Sequence, residues 1–75
     1  MTVYIIYSKS IQRFYIGYTS ERIEDRLRRH NSNHTGYTGK ASDWTIVYTE
    51  EVLDKKEALQ LETKIKGRGA QRYLE

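Results

Sequence analysis

The chain has 75 residues, no cysteine and a formal net charge of +3. This length predicts one domain over residues 1–75 with a thin core, because small domains bury a smaller share of their surface. The lack of cysteine excludes a disulfide framework and a thiolate metal site, which favours a reducing, cytoplasmic location. No apolar run approaches the roughly 20 residues that cross a bilayer, so we expect no membrane partner. The mild positive charge is compatible with a polyanionic partner without requiring one.

Two runs of β-branched and aromatic residues open the chain and predict a β-hairpin. They cover residues 3–7 and 14–18, with a polar turn between them. If the numbers of paired residues sum to 21, Tyr4 lies opposite Gly17, and Tyr15 shares the same face of the sheet. Gly17 would then leave room for a ring or for a substrate backbone; a bulge or relief of crowding is the equal alternative.

A helix from about Glu21 to Asn31 is expected after the hairpin, with Thr19 or Ser20 as its N-cap. Glu21 and Glu24 would then favour the positive end of the helix dipole. A third run of strand-forming residues follows at 44–49 and predicts the last strand of the sheet.

The second predicted helix begins after Asp54, because Glu57 completes a variant capping box with it. It is expected to end near Lys66, with Gly67 as the C-terminal stop, and residues 68–75 are expected to add a short helical turn. The order β-β-α-β-α predicts an α+β domain with a three-stranded antiparallel sheet flanked by helices.

The first predicted helix carries a basic stripe of Arg22, Arg26, Arg29 and His30. This stripe could bind a phosphate, or it could be a solvated helix face. Arg26 is the favoured phosphate ligand, because a guanidinium is a planar, permanently charged fork that matches phosphate oxygens. His30 could transfer a proton, since its ordinary pKa is about 6.5, or it could cap the C-terminus of the helix.

The second predicted helix places a carboxylate on its apolar stripe. Ala58, Leu61 and Ile65 mark that stripe, and Glu62 lies on it. A buried, unpaired charge is costly, so Glu62 needs either a salt bridge, to Arg26 or a lysine, or a metal ion. No second carboxylate has a useful spacing. A single Mg²⁺ or Mn²⁺, completed by waters and phosphate oxygens, is therefore the expected cofactor if a metal is used.

Basic and aromatic residues elsewhere are candidates for contacts to a nucleic-acid backbone. They are Arg22, His34, Tyr37, Lys40, Lys64, Lys66, Arg68 and Arg72. A solvated basic surface explains them equally well.

The order and spacing of several motifs resemble GIY-YIG nuclease domains of the small stand-alone type, over nearly the full length. The matching residues are Tyr4, Tyr15-Ile16-Gly17, Arg26-Leu27, His30-Asn31, Tyr37-Thr38, Trp44, Glu57-Ala58-Leu59, Glu62 and Ile65-Lys66. The chain departs from the family at Thr2-Val3, where the first triplet keeps only its tyrosine. Residues 67–70 contain no clear match to the C-terminal asparagine of many relatives.

This resemblance implies a divalent-metal-dependent endonuclease that hydrolyses nucleic-acid phosphodiester bonds, in DNA rather than RNA. Little sequence specificity and a role in DNA repair or recombination are expected. Tyr4 would be the general base or a base relay, Tyr15 would position water or phosphate, and Arg26 would stabilise the charged transition state. His30 would assist proton transfer or hold Tyr4, Glu62 would ligate the single ion, and Tyr37, already a candidate above, would contribute to the same pocket.

A tyrosine with a pKa near 10 is a poor base at neutral pH unless neighbouring cations lower that pKa. Arg26, His30 and the metal are the candidates for this effect. A catalytically weak or inactive nucleic-acid-binding module is the alternative function, and a protein-interaction module is a third. The sequence leaves a partner protein or dimerisation open.

Overall fold

The computed structural model describes residues 1–32 and 40–75. In chain order the elements are β1 Thr2–Ser8, β2 Arg13–Thr19, α1 Ile23–Ser32, β3 Trp44–Glu51, α2 Lys55–Arg68 and α3 Ala70–Leu74. The strands form one antiparallel sheet in the order β2-β1-β3. The predicted α+β class and element order are confirmed, and α3 is the expected helical turn at the end of the chain. No helix among the described residues has the length and apolar character that crossing a bilayer requires.

The central strand β1 is covered on both faces. Val3 and Ile5 pack with residues of α2 and α3, whereas Tyr4 and Ile6 pack with residues of α1. All four side chains are fully buried. A strand buried on both faces reads as a continuous apolar run, which explains why β1 shows no alternation of apolar and polar residues.

The hairpin has the register that the sequence predicts. Tyr4 pairs with Gly17, and Ile6 pairs with Tyr15, so the paired numbers sum to 21. Because side chains alternate along a strand, Tyr4 and Tyr15 lie on the same face of the sheet, the one covered by α1.

An irregularity in β3 allows this strand to contribute to both cores. Ile5 pairs with Tyr48, while the next residue, Ile6, pairs with Ile46. Val47 is therefore an extra residue with no partner on β1, as in a β-bulge. The bulge shifts the alternation, so Ile46 packs on the α1 side and Tyr48 packs on the α2 side.

Helix α1 begins later than predicted. The carbonyl of Arg22 accepts the first helical hydrogen bonds, so the helix starts at Ile23. The hydroxyl of Thr19 accepts a hydrogen bond from the backbone N–H of Glu21 at 3.1 Å, in the turn before the helix. The prediction that Thr19 or Ser20 is the N-cap is therefore wrong, because the Thr19 hydroxyl stabilises the turn and not the helix.

Helix α2 begins as predicted but ends later. Oδ1 of Asp54 accepts a hydrogen bond from the backbone N–H of Glu57 at 2.9 Å, which confirms the cap. The helix continues through Gly67 and is capped by Gly69, which has a φ of 89° and donates its N–H to the carbonyl of Ile65. The prediction that Gly67 ends the helix is wrong, because the left-handed cap conformation falls two residues later.

The hairpin turn gives a first testable prediction. Gln12 has a φ of 53°, in the left-handed region, which costs a side chain roughly 1 kcal/mol and which glycine adopts without strain. Gln12→Gly should raise the free energy of unfolding by roughly 0.5–1 kcal/mol in urea denaturation. The control Gln60→Gly, on the exposed surface of α2, should lower it by about 1 kcal/mol. Equal losses in both variants would show that Gln12 carries no strain.

Candidate active site

The hydroxyl group of Tyr4 lies at the centre of a buried hydrogen-bonded cluster. Its Oη is 2.7 Å from Nε2 of His30, and Nε of Arg26 donates to the same oxygen at 3.3 Å. Arg26 and His30 are one turn apart on α1, so a single helix face delivers both side chains. Three of the four residues predicted to be catalytic therefore meet at one oxygen atom.

Gly17 provides the space that the Tyr4 ring occupies. A Cβ atom at this position would lie 2.6 Å from Oη of Tyr4 and 3.1 Å from Cε2 of Tyr15. The Tyr15 ring in turn lies beside His30, with 5.2 Å between ring centroids. Of the alternatives for Gly17, room for a ring is the one observed. Tyr15, the fourth predicted catalytic residue, borders the same cluster.

Burial decides the charge states of Tyr4 and His30. Burial raises the pKa of Tyr4 above its ordinary value of 10.0, and Arg26 opposes this only in part. Burial, followed by the charge of Arg26, lowers the pKa of His30 below 6.5. Both groups are therefore neutral at pH 7. Arg26 lowers the pKa of Tyr4 as expected, but the larger effect of desolvation makes the net shift upward, and a neutral His30 adds no charge against it.

The direction of the two hydrogen bonds follows from the chemistry of the partners. A guanidinium can only donate, so the oxygen of Tyr4 accepts from Arg26. The phenolic proton of Tyr4 then needs an acceptor, and of its two partners only a neutral His30 can accept. Tyr4 therefore donates to Nε2 of His30, whose own ring proton is on Nδ1.

Glu62 is on α2. That helix packs against the edge strand β2, and the Tyr4 phenol lies over Gly17 of the same strand. After the larger effect of burial, the charge of Glu62 also contributes to the raised pKa of Tyr4. Its side chain is 18% exposed, and its Oε1 forms an ion pair with Nζ of Lys66 at 3.4 Å. Of the expected salt-bridge partners of Glu62, a lysine is the one observed, and Arg26 is not.

Glu62, the residue predicted to bind a metal ion, offers only carboxylate oxygens. In residues 1–32 and 40–75, no group of three or more His, Asp or Glu side chains could hold an ion. The donor set of Glu62 alone fits Mg²⁺ or Mn²⁺, which retain waters and take phosphate oxygens. It does not fit zinc, which takes three or four protein ligands, or a two-metal centre.

Arg26 differs from the other arginines of α1 and the turn before it. Three exposed arginines have acidic partners: Arg22 with Glu24 at 3.7 Å, Arg28 with Asp25 at 3.4 Å, and Arg29 with Glu21 at 2.9 Å. Within the described chain, no carboxylate lies within ion-pair distance of Arg26. The exposed members of the basic stripe, Arg22 and Arg29, are thus paired with acidic side chains, whereas Arg26 is directed at Tyr4.

Two contributions to the site were not predicted. Oδ1 of Asn31 accepts from the backbone N–H of Trp44 at 2.7 Å, and its Nδ2 donates to the Trp44 carbonyl at 3.1 Å. This clamp joins the end of α1 to the start of β3, next to His30. Glu21, assigned to the helix dipole, also raises the pKa of Arg26, after the larger effect of the hydrogen bond to Tyr4. No motif or spacing in the sequence indicates the contact of Asn31 with Trp44 or the effect of Glu21 on Arg26.

The other predicted nucleic-acid ligands lie outside this cluster. Arg22, Lys40, Lys66 and Arg68 are exposed. The predictions for His34 and Tyr37 lie outside the described residues. An open cleft of about 290 Å³ between the end of β3 and α2 contains none of the residues predicted to be catalytic.

Comparison with known families identifies the family of the chain. A model of the GIY-YIG catalytic domain matches residues 1–73 of the chain. The chain belongs to the GIY-YIG family. Neither a curated protein nor a solved structure gives a significant match. As a member of the GIY-YIG family, the chain is a nuclease-type hydrolase, and nucleic acid is its class of substrate.

The space over Gly17 in this GIY-YIG domain gives a second prediction. Gly17→Ala should lower the free energy of unfolding by about 1–3 kcal/mol, because the new methyl group overlaps the Tyr4 phenol. Urea denaturation measures the change. In the control Gly67→Ala, the new methyl group meets no atom within 4 Å, so this variant should gain up to about 1 kcal/mol. A Gly17→Ala variant as stable as the original protein would contradict the packing described.

The lowered pKa of His30 gives a third prediction, on pH dependence. In the unfolded chain His30 binds a proton near pH 6.5, whereas in the folded GIY-YIG domain its pKa is lower. The contribution of His30 to the free energy of unfolding is therefore fully present above pH 6.5 and is lost as the pH falls below it. The variant His30→Gln should not show this decrease in the free energy of unfolding. Urea denaturation between about pH 7.5 and 5 should therefore show a steeper fall for the original protein. Parallel curves for the two proteins would count against a buried, neutral His30.

Proposed function

We propose that this GIY-YIG domain is a divalent-metal-dependent endonuclease that hydrolyses DNA phosphodiester bonds with little sequence specificity. The observation that carries the proposal is the convergence of Arg26 and His30 on the buried oxygen of Tyr4. The charge of Glu62, on α2, also contributes to the raised pKa of that phenol, after the larger effect of burial. A cytoplasmic role in DNA repair or recombination is part of the proposal.

Tyr4 would act as a proton relay and not as a preformed base. Its raised pKa, caused mainly by burial, keeps it a neutral phenol at pH 7. When the attacking water gives a proton to Oη, the original phenolic proton can pass to Nε2 of His30 along the 2.7 Å hydrogen bond. No phenolate then needs to accumulate. His30 suits this role because its lowered pKa leaves Nε2 unprotonated before the reaction.

Access of water to Tyr4 would require a side-chain movement. Tyr4 is fully buried, so water does not reach its oxygen in the arrangement observed. The hydrogen bond from Arg26, at 3.3 Å, is longer than the one to His30 and is the easier one to break. A phosphate that binds the Arg26 guanidinium would draw it away from Tyr4 and expose the phenol to the attacking water.

Glu62 would hold the divalent ion, which when bound supplies neutralisation of phosphate charge and of the departing alkoxide. Arg26 would bind the phosphate through its guanidinium fork and stabilise the charge that develops there. Tyr15, half-buried beside His30, would position the water or the phosphate. The exposed basic residues Lys40 and Arg68 would add contacts to the backbone.

The low sequence specificity follows from the kind of contact proposed. Contacts to phosphate oxygens position a nucleic acid but carry no sequence information. The site is built from residues that act on the phosphodiester, and none of the proposed contacts depends on a 2′-hydroxyl group. DNA is therefore a sufficient substrate for this arrangement.

Relaxation of supercoiled plasmid in the presence of Mn²⁺ tests the proposal. Arg26→Ala and Glu62→Ala should each lower the cleavage rate by about 100-fold or more, because each removes stabilisation of phosphate charge. The matched control Arg28→Ala lies on the same helix, where Arg28 is exposed and paired with Asp25. Its rate should stay within about twofold of the original rate. Activity unchanged in both Arg26→Ala and Glu62→Ala would defeat the proposal.

The same reagents separate the alternative functions. DNA binding that weakens linearly with the logarithm of salt concentration, without a metal-dependent product, would favour an inactive nucleic-acid-binding module. An NMR spectrum that neither DNA nor Mn²⁺ perturbs would favour a protein-interaction module.

A further inference from the structure

Lys66 lies beside the carboxylate that would hold the divalent ion in the proposed function. Its Nζ is 3.4 Å from Oε1 of Glu62, and the two residues are four positions apart on α2. This spacing makes the two side chains neighbours on one face of the helix, so the ammonium group is within reach of the carboxylate. An ammonium group and a divalent ion beside one carboxylate would repel each other, so each would weaken the binding of the other to Glu62.

We propose that Lys66 occupies the cation position at Glu62 in the free protein and is displaced when a divalent ion binds. Lys66 thereby sets the affinity of the site for metal. This inference rests on the proposed function, which assigns the ion to Glu62.

The exposure of the two side chains makes the exchange feasible. Lys66 is 59% exposed, whereas Glu62 is only 18% exposed. Exposed ion pairs are weak, and a lysine ammonium group is readily hydrated, so Lys66 can leave at little cost. Glu62 cannot leave in the same way, because it is more buried and needs a cation nearby. The carboxylate is therefore the fixed part of the site, and the lysine is the exchangeable part.

Displacement of Lys66 links metal binding to binding of the polyanion. The released ammonium group no longer neutralises Glu62 and becomes available to a phosphate. Each ligand then favours the other, and by linkage the effect on affinity is the same in both directions. Displacement would allow Lys66 to contact nucleic acid, as the sequence predicts, although it is paired with Glu62 in the free protein.

The test is Mn²⁺ binding without DNA, measured by isothermal titration calorimetry and by paramagnetic broadening in NMR spectra. Lys66→Ala should lower the Kd for Mn²⁺ by about 2- to 5-fold, which is the range expected for loss of an exposed ion pair. Lys66→Arg, which keeps a cation at this position, should remain closer to the original protein. The matched control Lys64→Ala removes the same charge from an exposed position of the same helix, at a residue that lines the cleft beside β3. Its Kd should change by less than about twofold.

Glu62→Ala distinguishes a failure of this inference from a failure of the proposed function. If Glu62→Ala binds Mn²⁺ as tightly as the original protein, the ion does not bind at Glu62, and both fail. If Glu62→Ala weakens binding but Lys66→Ala has the same Kd as Lys64→Ala, only the inference about Lys66 is overturned.

Discussion

The structure depends on the burial of one phenol between a donor and an acceptor. The oxygen of Tyr4 accepts from Arg26 and donates to His30, and it has no exposed surface. Burial separates the two pKa values in opposite directions, upward for the tyrosine and downward for the histidine. A neutral donor therefore faces a neutral acceptor. In the proposed relay the phenolic proton passes to His30 only as Oη receives a proton from the attacking water, which differs from a tyrosine made acidic by nearby cations.

The fold provides this geometry from local features of the sequence. β1 is the central strand, so Tyr4 has a neighbouring strand on each side. Because Gly17 has no side chain, the Tyr4 ring can lie over it. Helix α1 delivers two partners from consecutive turns, and the clamp between Asn31 and Trp44 fixes the end of that helix against β3. Glu62 is on α2, which packs against the edge strand β2. The residues of the candidate site thus come from three strands and two helices.

Much of this could be predicted from the sequence, and the reasons for the remainder are physical. The shared face of Tyr4 and Tyr15 follows from the period of two once the turn sets the register, and the structure has the register that was considered. The choice between Gly67 and Gly69 as the helix end is not local, because either glycine can adopt a positive φ. That Glu62 belongs to the same site as Tyr4 is an inference from the family resemblance. The direction of the tyrosine pKa depends on how burial balances charge, which no sequence pattern encodes.

The measurement that tests this account most directly is the ¹⁵N chemical shift of each ring nitrogen of His30 at pH 7. The account predicts a neutral imidazole with a proton on Nδ1 and a lone pair on Nε2, which accepts from Tyr4. A spectrum of an imidazolium ion, or of a neutral ring with its proton on Nε2, would contradict it. In either case the histidine could not receive the proton of the phenol.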